Sequence, residues 1–184
     1  MGLDMYLDKE IYIGANYDFN GIGGEINLTR KGNKIPVNFN KVRSIVEEGI
    51  YWRKANQIHK WFVDNVQDGN DNCGRYYVDK ETLRSLLETI NTLFEKVSRY
   101  IDLSNIDFDK ADETEFNTQL YTHKDVIEEI CGNLLPSQSG FFFGGIAYDF
   151  FYFYDLDYTK RKLEELLESA GDDYDIHFYY HSSW

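Results

Sequence analysis

Leu3, Met5 and Leu7 alternate with Asp4, Tyr6 and Asp8, the period-two pattern of a strand with one buried face. The pattern resumes at Ile11–Ile13. Asn16–Gly24 (NYDFNGIGG) is turn-rich. Residues 25–29 and 35–39 then form two alternating runs around RKGNK, which predicts a hairpin with a five-residue loop centred on Gly32. Pro36 lacks a ladder donor, so its strand belongs at an edge or begins there. Residues 40–49 read two ways. Asn40 caps a short helix carrying Val42, Ile45 and Val46, or Ser44–Val46 is a strand.

The period changes at Tyr51–Val66 (YWRKANQIHKWFVDNV). At about 100° per residue, Trp52, Ala55, Ile58, His59, Phe62, Val63 and Val66 share one stripe, which predicts a helix across the whole stretch. Arg53, Asn56, Lys60 and Asp64 form a polar strip beside it, and Trp61 faces away with Lys54. A polar loop, QDGNDNCG, and a short strand at Arg75–Val78 follow. Asp79 then caps a helix whose apolar stripe runs from Leu83 through Leu86, Ile90, Leu93 and Val97 to Ile101. Residues 102–118 are acidic with few apolar anchors and read as an exposed insertion.

Thr122 is expected to cap a short helix, His123–Ile130, ended by Leu134-Leu135-Pro136. Phe141–Phe143 reads as a buried strand, and Asp149–Tyr154 puts aromatics on both faces of an alternating run. Asp155 and Asp157 introduce a last helix with Leu163, Leu166 and Leu167, and Tyr174–His181 is a closing strand. Locally paired strands interleaved with long helical segments predict an α+β fold. The expected architecture is a mainly antiparallel sheet with three or four helices packed on it, in one domain over residues 1–184.

Charge narrows the choice of partner. Residues 1–92 hold 12 Lys/Arg against 13 Asp/Glu, whereas residues 93–184 hold 7 against 19. An acidic second half disfavours direct nucleic-acid binding and suits a protein with a basic surface. No apolar run is long enough to span a bilayer, and the acidic start MGLDMYLDKE is no signal peptide. Cys73 and Cys131 form no Cys-x-x-Cys pair, so a reducing, cytoplasmic setting is expected.

The remaining chemistry is sparse. The glycine clusters lack phosphate-loop spacing, so no cofactor is indicated. The short acid pairs lack calcium-loop spacing, and no histidine pair has helical zinc spacing, so no metal is expected. Nothing selects a catalytic residue. Two binding surfaces are candidates. One joins Trp61 to the acids Asp107, Asp109, Asp112, Glu113 and Glu115 as a protein-docking face. The other joins Arg53, Asn56, His59 and Lys60, with His177 and His181 from the last strand, as a pocket for a nucleotide or other phosphorylated metabolite.

Five stretches, MGLDMYL, YWRKANQIHKWFV, NCGRYYV, LLPSQSGFFFGG and YYHSSW, together resemble a family of small bacteriophage and prophage proteins. The family's ending is closer to YYQSSW, so His181 departs from it. The resemblance implies a mobile-element accessory protein in the host cytoplasm and a counter-defence role. It points to an anti-CRISPR-like inhibitor whose acidic surface occupies the basic groove of a Cas9-type or other defence nuclease.

Overall fold

The computed structural model describes residues 2–15 and 23–184, so most of the turn-rich Asn16–Gly24 stretch lies outside the described residues. In chain order the elements are β1 (Asp4–Tyr12), β2 (Leu28–Arg30), β3 (Asn33–Ile35), β4 (Ser44–Arg53), α1 (Asn56–Val66) and β5 (Tyr76–Val78). They continue as α2 (Lys80–Val97), α3 (Glu113–Tyr121), α4 (Lys124–Leu134), α5 (Phe150–Ala170) and β6 (Ile176–Ser183). The fold is α+β. Its main sheet has the order β4-β1-β6-β5 with every neighbouring pair antiparallel, and β2 and β3 form a separate hairpin.

The alternation in β1 works as expected. Leu3, Met5 and Leu7 are fully buried and share a face with Ile50 and Trp52 of β4, Val78 of β5, and Phe178 and Tyr180 of β6. α1 and α5 pack on the sheet, α2 packs on α5, and α3 and α4 form an outer layer against α2 and α5. One cluster of buried side chains runs from Leu3 to Tyr180. No helix among the described residues is long and apolar enough to cross a membrane.

Several boundaries differ from the sequence expectation. Tyr51, Trp52 and Arg53 lie opposite Tyr6, Met5 and Asp4 on β1, so the first turn of the expected Tyr51–Val66 helix is strand. Trp52 suits either period, and pairing along β1 decides for the strand. Lys54, at φ 64°, then turns the chain into α1. The ambiguous stretch 40–49 resolves as a 3-10 turn (Phe39–Lys41) followed by β4. The β2–β3 hairpin closes over Lys31-Gly32, tighter than the five-residue loop expected, with both residues at positive φ.

Further along, Phe141–Phe143 is a turn rather than a strand, and α5 begins at Phe150, ahead of the Asp155 and Asp157 expected to introduce it. Asp149 caps that helix by accepting from the backbone N–H of Phe151 and Tyr152. Thr122 ends α3, donating its hydroxyl to the Gln119 carbonyl, and α4 starts at His123 without a side-chain cap. The acidic stretch 102–118 is anchored rather than loose: Leu103, Phe108 and Phe116 are buried, and Phe108 and Phe116 both pack against Phe150 of α5.

Candidate functional site

The β4–α1 junction is where separate parts of the chain converge. Leu3 ties two of them together: its N–H donates to the Phe142 carbonyl, and its carbonyl accepts from the Lys54 N–H. Asn56, at the head of α1, is 2% exposed and uses its whole carboxamide. Its Oδ1 accepts from the Gln138 N–H at 2.9 Å, and its Nδ2 donates to the carbonyls of Phe143 (3.1 Å) and Gly145 (2.7 Å). A polar side chain this buried is held by complete satisfaction, and here that satisfaction clamps the 138–145 loop onto α1.

Between this loop, the β4–α1 turn and the start of α5 lies a cavity of about 330 Å³, within the usual size range of small-molecule sites. Arg53 and Lys54 stand at its rim, and Asn56, Gln57, Tyr152 and Asp155 line it more deeply. Gln57 Nε2 donates to Asp155 Oδ2 at 3.3 Å. Burial pushes the Asp155 carboxyl up to about 7, against the opposing effect of the Gln57 hydrogen bond and with a smaller push from Asp149. A Cβ at Gly2 would come within 3.3 Å of Lys54 Cε and 3.9 Å of Arg53 Nε, so the two cationic side chains pass the same point. Neither has an ion-pair partner among the described residues. Lys54 also holds a left-handed backbone conformation that a side chain disfavours, and Gly144, itself at φ 89°, leaves room for it.

Beside this cavity is a buried relay. His59, fully buried, lies with Nδ1 2.7 Å from the Tyr180 hydroxyl and Nε2 3.0 Å from Asp71 Oδ2. Asp71 Oδ1 in turn accepts from Trp184 Nε1 at 3.1 Å. A carboxylate only accepts, so the network assigns the ring proton to Nε2, and Nδ1 accepts from Tyr180. Burial holds the Tyr180 hydroxyl far above its ordinary pKa, so it keeps its proton. The order of groups is that of a nucleophile, a base and an orienting acid, but Tyr180 is sealed at 0% exposure and no substrate reaches it. The relay locks α1, β6 and the 67–75 loop together.

The expected pocket residues therefore separate. Arg53 and Asn56 belong to the cavity. His59 belongs to the relay, and Lys60 is paired with Asp64 at 2.8 Å. His177 and His181 alternate with Phe178 and Tyr180, so they project from the sheet face opposite His59. His181 stacks on Tyr6 there, and its Nε2 lies 3.5 Å from Asp8 Oδ2. Lys54, Gln57 and Asp155 were not singled out by sequence. The missed signal was Asp149 as an N-cap followed by Tyr152, Leu156, Thr159, Leu163, Leu166 and Ala170 at helical spacing, which places Asp155 inside a helix.

The expected docking residues separate too. Trp61 is 8% exposed and packs edge-on against Phe62, because α1 is enclosed around most of its circumference. Asp107 pairs with Lys110 (2.6 Å), Asp109 with Arg161 (3.2 Å), and Asp112 caps α3 through the Glu115 N–H (2.8 Å). Glu113 and Glu115 are exposed in the first turn of α3. Asp102, Asp107, Asp112 and Glu115 do share a shallow surface hollow of about 480 Å³.

No protein-family model, curated protein or solved structure matches the chain. Four stretches remote from one another in the chain meet at this junction. Leu3, Lys54, Asn56, His59, Gln138, Phe143, Tyr180 and Trp184 all belong to them and are joined by the contacts above.

Proposed function

We propose that this chain binds a nucleotide or a related phosphorylated metabolite in the cavity at the β4–α1 junction. The observation that carries the reading is a pair of cations, Arg53 and Lys54, without an ion-pair partner among the described residues, at the rim of a cavity with hydrogen-bonding groups within it. Guanidinium and ammonium side by side suit a phosphate, and the clamped 138–145 loop supplies a preformed wall. In the mobile-element setting implied by the resemblance, such a site acts as a sponge that sequesters a signalling nucleotide. Thermal unfolding of the full chain with a panel of nucleotides tests this. A ligand at about 100 times its Kd adds roughly 2.7 kcal/mol, and replacing Arg53 and Lys54 together by Ala removes that gain. If no nucleotide raises the unfolding temperature, the reading fails.

A second reading rests on a different observation, the acidic hollow formed by Asp102, Asp107, Asp112 and Glu115. It would engage a basic groove of a nucleic-acid-handling protein such as a Cas9-type nuclease, as an anti-CRISPR inhibitor does. Neutralising Asp102, Glu113 and Glu115 to their amides leaves the Asp112 cap intact. Those changes should weaken such inhibition and flatten its dependence on salt. Unchanged potency would exclude this surface.

A further inference from the structure

The deep end of the cavity says more about its ligand than the rim does. Asp155 Oδ2 takes the Gln57 hydrogen bond, whereas Oδ1 accepts none from the described residues. Both sit in a cavity whose mouth carries Phe151, 57% exposed. The lining sets Arg53 and Lys54 at the rim against the carboxyl groups of Asp149, which caps α5, and Asp155. A ligand with an anionic end at the rim and a neutral donor at Asp155 matches both ends. Once ionised, above the raised pKa that burial gives it, the Asp155 carboxylate presents two parallel acceptors and is best matched by two adjacent N–H groups. Among nucleobases, guanine offers that edge, N1–H beside the 2-amino group. Adenine and cytosine set an acceptor beside their amino group and would face a carboxylate with like polarity.

We propose that the cavity selects a guanine nucleotide. The N1–H and 2-amino edge donates to Asp155, the phosphate lies against Arg53 and Lys54, and Phe151 stacks on the base. This rests on the nucleotide reading above. Calorimetric titration of the full chain with GMP, IMP, AMP and inorganic phosphate tests it, alongside Asp155→Asn and Phe151→Ala.

GMP is expected to bind most tightly, with IMP, which lacks the 2-amino group, weaker by roughly tenfold, and AMP weaker still. Asp155→Asn should erase the preference for GMP over AMP, and Phe151→Ala, at an exposed position, should weaken all three nucleotides together. AMP binding as tightly as GMP, or a GMP preference that survives in Asp155→Asn, overturns the guanine assignment while leaving the nucleotide reading in place. Absence of binding by every nucleotide overturns both.

Discussion

At Asp155 a carboxyl on α5 faces the cavity beside Gln57, and burial raises its pKa from the ordinary 3.8 to about 7. Because the folded state holds the proton more tightly than the unfolded chain does, the stability contributed at this position is full below about pH 4. It declines as pH rises towards 7 and stays low above it. Asp155→Asn mimics the protonated carboxyl and still accepts from Gln57. The variant should exceed the native chain by about 2–4 kcal/mol at pH 8, with the difference shrinking towards pH 4, as read by urea unfolding. Equal pH profiles would mean that Asp155 is well solvated. The relay makes a second residue-scale prediction. Tyr180→Phe leaves His59 Nδ1 buried without its donor and should cost about 1–3 kcal/mol. Neither residue's role is legible in sequence, because a histidine on an apolar stripe and an aspartate in an aromatic run carry no mark of their partners.

Among the elements, Gly49 shows how a sheet places a site. Leu7 lies opposite Ile50 and Asp8 opposite Glu48, so Gly49 is the extra residue of a β-bulge. A Cβ there would sit 2.8 Å from the Leu7 carbonyl oxygen and 3.1 Å from Leu166 Cδ1. Gly49→Ala should therefore destabilise by about 1–3 kcal/mol in chemical unfolding, despite being a one-carbon change. The Asp79 cap was readable from sequence and is present, its carboxylate accepting from the Thr82 N–H at 2.6 Å. Asp79→Ala should cost about 1 kcal/mol. The helix it starts was clear because Leu83, Leu86, Ile90, Leu93 and Val97 admit a single period. The start of α5 was not, because Phe150–Tyr154 is aromatic at every position and fits either period. Trp52 likewise has alternating neighbours and helical ones.

For the whole molecule, a net charge of −13 is concentrated in the second half. The structure spends part of that acidity internally. Asp107, Asp109 and Asp157 meet Lys110 and Arg161, and Asp79, Asp112 and Asp149 cap helices. The excess remains as self-repulsion, so raising salt from about 20 to 500 mM should raise the unfolding temperature by a few degrees through screening. A fall would show that attractive pairs dominate.

The periodicity of single segments by itself determined the fold class, the buried face of β1, the body of α2 and the closing strand, because each depends only on a side chain's neighbours along the chain. Composition alone gave the acidic imbalance. Tertiary structure decided the rest. Strand pairing delayed the start of the central helix to Asn56, enclosure buried Trp61, and sheet pleating put His59 and the two β6 histidines on opposite faces. The cavity itself exists only because Arg53, Gln57 and Asp155, remote in sequence or ambiguous in period, meet once the 138–145 loop is clamped by Asn56.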